Sequence, residues 1–119
     1  MKPVSSNQPR RPKGIVNYYG TVILPCRFEK IELSNNYFWV SSEGLYGIYN
    51  RYGSTIIPCR YEQIELTDRC FYVCRDRLKG VYNRYGSVII PCQFSQIECK
   101  DNAYYVTKGK YQGIYNLYG

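Results

Sequence analysis

The sequence predicts an all-β protein, built as an open array of three 33-residue β-hairpin repeats of a solenoid-like or partial-propeller-like kind. Three observations predict this class. A shift of 33 residues aligns the chain with itself, and Tyr, Ile and Val, which favour strands, are abundant. Each repeat also carries an Asn-x-x-Gly turn followed by an apolar run that ends in proline. With 119 residues, the chain has room for one folded domain.

The repeats run over residues 14–46, 47–79 and 80–112, with a partial unit at 113–119. The second and third units agree at 17 of 33 positions without a gap. The positions shared by all units are the opening glycine, the turn Asn, Tyr and Gly, the Pro-Cys pair and an Ile-Glu pair. In the third unit these are Gly80, Asn83, Tyr85, Gly86, Pro91, Cys92, Ile97 and Glu98.

The segment from Gly80 to Pro91 is typical of a hairpin. Asn83 suits the first turn position because its side chain can bond the backbone ahead, and Gly86 suits a left-handed residue. Pro91 lacks a backbone donor, so we expect it to end the second strand. A short bend or strand at Gln93–Glu98 would follow.

The chain is then expected to form a strand at 103–107, turn near Gly109 and enter the next unit at 113–116. Strands such as Val88-Ile89-Ile90 are apolar on both faces, which predicts that successive units stack and cover one another. Closed propellers need about four blades or more, so three units favour an open array. Its uncompleted sheet edges could pair with another copy or another chain.

The first thirteen residues form a basic, Pro-containing segment that we expect to be flexible. They hold four of the 16 basic side chains, which leaves 12 basic and 9 acidic residues, or +3, for the array at 14–119. They lack the apolar run of a secretory signal, and no run of eighteen apolar residues occurs elsewhere. We therefore expect a cytoplasmic protein whose six cysteines are reduced, without membrane association.

The segment from Lys79 to Ile97 reads Lys-Gly-Val-Tyr-Asn-Arg-Tyr-Gly-Ser-Val-Ile-Ile-Pro-Cys-Gln-Phe-Ser-Gln-Ile. It resembles the WG, or KWG, repeat of mostly bacterial proteins, and the resemblance covers residues 13–119. The tryptophan of that pattern is absent, because its place is taken by Lys13, Tyr46, Lys79 and Gln112. The resemblance implies a β-rich repeat architecture and no shared catalytic activity or ligand.

No histidine occurs in the chain, which removes the commonest general base and most zinc sites. The glycines form no phosphate-binding signature. We expect no catalytic, cofactor-binding or metal-binding residues and no enzymatic activity. Cys26, Cys59 and Cys92 hold one repeated position and are interpreted as small buried hydrophobes rather than a thiolate column.

The tyrosines fall into two groups. Tyr49, Tyr82 and Tyr115 alternate with aliphatic residues, so we interpret them as packing residues with solvated hydroxyls. The turn aromatics and their arginines are the candidate interaction surface, unless the rings fold back over the array. This candidate surface comprises Tyr19, Arg51, Tyr52, Arg84, Tyr85 and Tyr118.

The glutamates Glu32, Glu65 and Glu98 recur at one repeated position, and we expect them to be solvated or to face cations of neighbouring units. Neutralising pairs are favoured over a ligand site at this position. The leading functional hypothesis is a module for protein–protein interaction or scaffolding, with a protein partner or a second copy. The alternative is nucleic-acid binding through the basic segment and the Tyr/Arg turns.

Overall fold

The computed structural model describes residues 12–67 and 69–116. Within those residues the regular structure is entirely β, and no segment forms a helix with the length and apolar character needed to cross a membrane. The strands are β1 (Lys13–Val16), β2 (Val22–Phe28), β3 (Lys30–Ser34), β4 (Tyr37–Ser42), β5 (Leu45–Asn50), β6 (Thr55–Tyr61), β7 (Gln63–Leu66), β8 (Cys70–Arg75), β9 (Leu78–Asn83), β10 (Val88–Phe94), β11 (Gln96–Lys100), β12 (Ala103–Lys108) and β13 (Tyr111–Asn116).

These strands form four antiparallel sheets in chain order. Sheet 1 contains β1 and β2, sheet 2 contains β3 to β6, sheet 3 contains β7 to β10, and sheet 4 contains β11 to β13. The chain passes between sheets at three equivalent single-residue corners, Glu29, Glu62 and Ser95. Each corner amide donates to the second strand of the following sheet, as Glu62 N does to Cys74 O at 2.8 Å. A structural sheet therefore begins in the middle of a sequence repeat.

The prediction that Pro91 ends its strand is wrong. Strand β10 continues to Phe94, and its register against β9 shifts between Ile90 and Phe94, so Pro91 and Cys92 lie in a bulge. A bulge takes residues out of the hydrogen-bonded ladder and so accommodates a residue without an N–H donor. The predicted hairpin and the strands around 103–107 and 113–116 are confirmed.

The repeated Pro-Cys cysteines are less buried than the sequence suggested. Cys26 is exposed, whereas Cys59 and Cys92 are half-buried. They lie where the bulge disrupts the ladder and bends the strand, so the strict alternation of buried and exposed positions is lost there. Burial nevertheless raises the pKa of the Cys59 and Cys92 thiols. All six cysteines are free thiols.

Three hydrophobic clusters lie between adjacent sheets and hold the array together. Leu24 and Phe28 of sheet 1 pack with Val40 and Tyr49 of sheet 2. The cluster between sheets 2 and 3 contains Ile48, Phe71 and Val73, among others, and the cluster between sheets 3 and 4 contains Val81, Ile90, Tyr104 and Val106. The stacking predicted from strands with two apolar faces is confirmed, and the described sheets form an open array rather than a closed barrel.

Among the described residues, the two outer sheets are packed on one face only. Ile114 in sheet 4 is 65% exposed, whereas its equivalents Ile48 and Val81 are fully buried. No described sheet covers the face on which Ile114 lies. The basic segment expected at 1–13 falls almost wholly outside the described residues, except that Lys13 already belongs to β1.

Candidate interaction surface

The three Asn-x-Tyr-Gly turns within the described residues share one hydrogen-bonded geometry. In each turn the Asn Oδ1 accepts hydrogen bonds from the backbone amides two and four residues ahead, at 2.8–3.0 Å. The glycine that closes each turn has a positive φ, 88° at Gly20, 92° at Gly53 and 100° at Gly86. Glycine adopts this conformation without steric cost, so the sequence fixes the turn locally.

The second and third turns each pack against the last strand of the sheet before them. A Cβ on Gly86 would lie 2.9 Å from Ile56 O, and a Cβ on Gly53 would collide with Ile23 O in the same way. Consecutive turns therefore follow one another along a single side of the array. We call this surface the turn row, and it consists of Tyr18, Tyr19, Arg51, Tyr52, Arg84 and Tyr85.

The rings of the turn row point into solvent. Tyr19, Tyr52 and Tyr85 are 88%, 75% and 85% exposed, so the alternative that these rings fold back over the array is wrong. The Arg51 guanidinium lies 5.6 Å from the centre of the Tyr52 ring. Tyr118, the last of the predicted surface residues, lies outside the described part of the chain.

Tyr18 was missed in the analysis of the sequence. It occupies the turn position that holds Arg51 and Arg84 in the next units, and it is 99% exposed. Its ring contacts Tyr19 edge to face at 6.0 Å between centroids. The repeat alignment could have identified it, because an aromatic residue at the exposed arginine position extends the same surface.

The strand tyrosines are packing residues, as predicted for Tyr49 and Tyr82, which are both buried. Their hydroxyls are not left to solvent, which corrects the sequence interpretation. The Tyr82 hydroxyl hydrogen-bonds that of Tyr61 at 2.6 Å, and Tyr49 accepts from the Arg27 guanidinium at 3.0 Å. Burial, followed by this hydrogen bond to Tyr82, raises the pKa of Tyr61.

The repeated glutamates line a second set of surface sites. Glu32, Glu65 and Glu98 each pair across the strands with an aromatic residue, Trp39, Tyr72 and Tyr105 respectively. All three are exposed, and no described residue forms an ion pair with them, so the predicted neutralising pairs are wrong and the solvated alternative is confirmed.

Three equivalent grooves follow the repeated glutamates, one beside the first strand of each of sheets 2, 3 and 4. The largest, of about 640 Å³, is lined by Glu62 and Glu65 but also by Lys79, and the other two likewise contain a glutamate and at least one lysine. Among the described residues, no cluster of three potential metal ligands occurs. Each groove therefore contains both positive and negative side chains. The charged residues of the three turns are all positive, namely Arg51 and Arg84.

Comparison with known families gives one match. The family model described as WG containing repeat matches residues 14–46 and 46–66. No curated protein and no solved structure matches the chain. The unit at 80–112 repeats the matched sequence and forms the same strands and turn. Residues 14–66 of the chain are therefore similar to the WG-containing repeat family.

Proposed function

We propose that the chain is a non-catalytic module for protein–protein interaction, and that its binding surface is the turn row. The observation that carries the proposal is the exposure of three equivalent tyrosines on rigid turns. Tyr and Arg are enriched at the energetic centres of protein interfaces because each offers a large contact area with few rotatable bonds or a planar set of donors. Exposed aromatic surface of this kind commonly marks an interaction site, because a bound partner shields the rings from water.

The turn row is suited to binding because its position is fixed before any partner arrives. The Asn side chains hold the turns, and the close approach of Gly53 and Gly86 to the preceding sheet fixes their spacing. A surface ordered in advance loses less conformational entropy on association. This supports recognition by the turns over recognition by the grooves, which open beside edge strands.

The test is affinity capture from a cell extract with the full chain as bait. We expect specific partners to be lost when Tyr19, Tyr52 and Tyr85 are all replaced by serine. A matched control replaces Tyr46 and Tyr111, which are exposed at other sites, by serine. Circular dichroism should show that both variants remain folded. Identical partner sets for the wild type and the turn variant would refute the proposal.

Nucleic acid remains the second candidate, because arginines beside exposed tyrosines can also contact phosphates and stack on bases. The modest +3 charge of residues 14–119 favours it less. Nuclease treatment of the purified protein distinguishes the two: a loss of bound ultraviolet-absorbing material on nuclease treatment, together with loss of binding in the turn variant, would assign the turn row to nucleic acid.

The sheet edges also offer a route to self-association. The first strands of sheets 2, 3 and 4, namely β3, β7 and β11, each pair with one neighbour only. An edge strand can add a strand from a second copy. Light scattering at high protein concentration tests this proposal, and a mass equal to the monomer's 14.0 kDa would rule it out.

A further inference from the structure

We propose that the turn row binds an acidic, proline-rich segment in the polyproline II conformation. This inference rests on the proposed function and names the chemistry of the partner. It is argued from the period of the turn row, from the polar residues between its rings, and from the sign of its charge.

The period of the turn row is set by the stacking of the sheets. Each described four-stranded sheet contributes one turn, as does sheet 1. Because sheets that pack face to face generally lie about 10 Å apart, we infer a similar spacing between consecutive turns. A polyproline II helix rises about 3.1 Å per residue with three residues per turn, so side chains return to the same side every ~9.3 Å. A segment of about nine residues would therefore present one residue to each of the three turns.

A β-strand does not fit this period. Its side chains return to the same face every two residues, or about 6.6 Å, and every four residues, or about 13 Å. Neither value matches the spacing of sheets. An extended ligand of this kind would leave at least one ring of the turn row without a side chain to contact.

An α-helix matches the period better, because seven residues rise about 10.5 Å. A docked helix, however, needs a continuous apolar groove, because its contact residues recur every three or four positions along the helix. The turn row has polar residues between its rings, including the exposed Ser54 and Ser87 and the Asn50 side chain that is already bonded to the backbone. Separate aromatic rings instead suit proline rings, which is how aromatic surfaces recognise polyproline II segments.

The charge of the turn row selects the sign of the ligand. Arg51 and Arg84 are equivalent residues of neighbouring units, and no acidic residue occurs within the three turns. Neither guanidinium forms an ion pair with a described residue. Carboxylates at three-residue intervals on the ligand would meet both guanidinium groups, which bind carboxylates with two parallel hydrogen bonds.

The test is fluorescence anisotropy with labelled twelve-residue peptides and the full chain. The probe peptide is four copies of Pro-Pro-Glu, and its matched controls replace all prolines by alanine, all prolines by glycine, or all glutamates by lysine. A fifth peptide has the sequence of residues 1–12 of the chain, whose prolines at 3, 9 and 12 keep a spacing in multiples of three but whose charge is basic.

We expect the Pro-Pro-Glu peptide to bind at least tenfold more tightly than each of the other four. The variant with serine at positions 19, 52 and 85 should lose this binding, and R51E together with R84E should shift the preference toward the lysine peptide. The Tyr46 and Tyr111 variant should bind as the wild type does.

Several results would overturn the inference. Tighter binding of the alanine peptide would show a helical ligand, and equal binding of the glycine peptide would show that conformation is irrelevant. Binding of a single-stranded oligonucleotide with no binding of any peptide would show a nucleic-acid surface. If no peptide binds but capture from extracts still depends on the turn tyrosines, the proposed function survives and only this choice of ligand is wrong.

Discussion

The opening glycine of each repeat lies beneath the Pro-Cys bulge of the neighbouring strand. A Cβ on Gly80 would lie 2.8 Å from three backbone atoms of β10, namely Ile90 O and the N and Cα of Cys92. Backbone atoms cannot rotate away as a side chain can, so the strand itself would have to move. The bulge therefore requires glycine at position 80, whichever residue occupies the family's tryptophan position before it.

We expect G80A to lower the free energy of unfolding by roughly 1–3 kcal/mol, the range typical of overpacked sites. The control is G113A at the equivalent position, where the Cβ would meet only Val106 Cγ2 at 3.5 Å. That variant should stay within about 0.5 kcal/mol of the wild type. Urea unfolding of the three proteins measures the difference, and equal losses in both variants would show that the bulge is not the cause.

The phenols of Tyr61, which is buried, and of Tyr72, which is half-buried, should make the fold sensitive to alkaline pH. Burial, the largest cause, together with the nearby Cys70, Cys99 and Glu65, raises the pKa of Tyr72 to about 12, and the pKa of Tyr61 is also raised. In the unfolded chain a tyrosine ionises near pH ~10. Between that pH and the folded-state pKa, the unfolded chain releases protons that the folded chain retains, so stability present below pH ~10 is lost as the pH rises.

We expect urea midpoints to begin to fall near pH ~8.5, because the Cys59 and Cys92 thiols also have raised pKa values in the folded chain, and to fall further above pH ~10. Y72F removes one of the groups responsible, so its midpoint should fall less steeply than that of the wild type. The solvent-exposed Tyr52 provides the control substitution, Y52F, which should leave the slope unchanged. Parallel slopes for Y72F and the wild type would exclude Tyr72 as a contributor.

At the scale of the element, the turn is held by a single side chain. Asn83 Oδ1 accepts from Tyr85 N and Ser87 N, both at 2.9 Å, while the backbone amide of Asn83 donates to Ser87 O at 2.8 Å. We expect N83A to cost roughly 1 kcal/mol, because these bonds are exposed and water can replace them in part. N83D keeps an acceptor oxygen and should cost less.

The same substitution should weaken any ligand of the turn row, because Arg84 and Tyr85 lie inside this turn. Hydrogen exchange of the Tyr85 and Ser87 amides provides the direct measurement. Faster exchange of both amides in N83A, with recovery in N83D, is the expected pattern. Unchanged exchange would mean that the packing of Gly86 against Ile56 is sufficient to hold the turn.

Elements were predictable from the sequence where the chain's preferences are local. The turns follow from Asn83 and Gly86, and the strand tyrosines from their alternation with aliphatic residues. The end of β10 was not predictable, because a proline that breaks one ladder position can lie in a bulge whose existence depends on the partner strand β9. The exposure of the Tyr52 and Tyr85 rings depended likewise on the preceding sheet, which holds the second and third turns on the outside of the array.

The grouping of strands into sheets was also beyond the sequence pattern. The repeat can be divided at any residue, and the structure divides it at Glu29, Glu62 and Ser95 rather than at the opening glycines. The sequence predicted Tyr52 and Tyr85 of the turn row but not Tyr18, because the equivalent position holds arginine in the next two units. The sequence alone could not decide whether the repeated glutamates are solvated or paired, because this depends on which side chains of neighbouring sheets lie beside them.

The whole molecule is a linear stack, and this predicts how its stability is distributed. Sheets 2 and 3 have hydrophobic clusters on both faces, whereas sheets 1 and 4 are packed on one face only within the described residues. In a stacked array each unit is stabilised mainly by its immediate neighbours. The outer sheets therefore have about half of the interfaces that hold the inner ones, and local opening should begin there.

Hydrogen–deuterium exchange with mass spectrometry can compare equivalent strands directly. We expect amides of β13 to exchange at least about tenfold faster than those of β9, and amides of β1 to exchange faster than those of β5. Ile114, 65% exposed where Val81 is fully buried, marks the difference in covering. If the amides of all four sheets exchange at one common rate, the array unfolds as a single cooperative unit. The hydrophobic clusters would then couple the unfolding of neighbouring sheets more strongly than we expect, and this prediction would be wrong. Faster exchange confined to the outer sheets would instead leave the turns of sheets 2 and 3, which carry Arg51 and Arg84, as the most rigid part of the turn row.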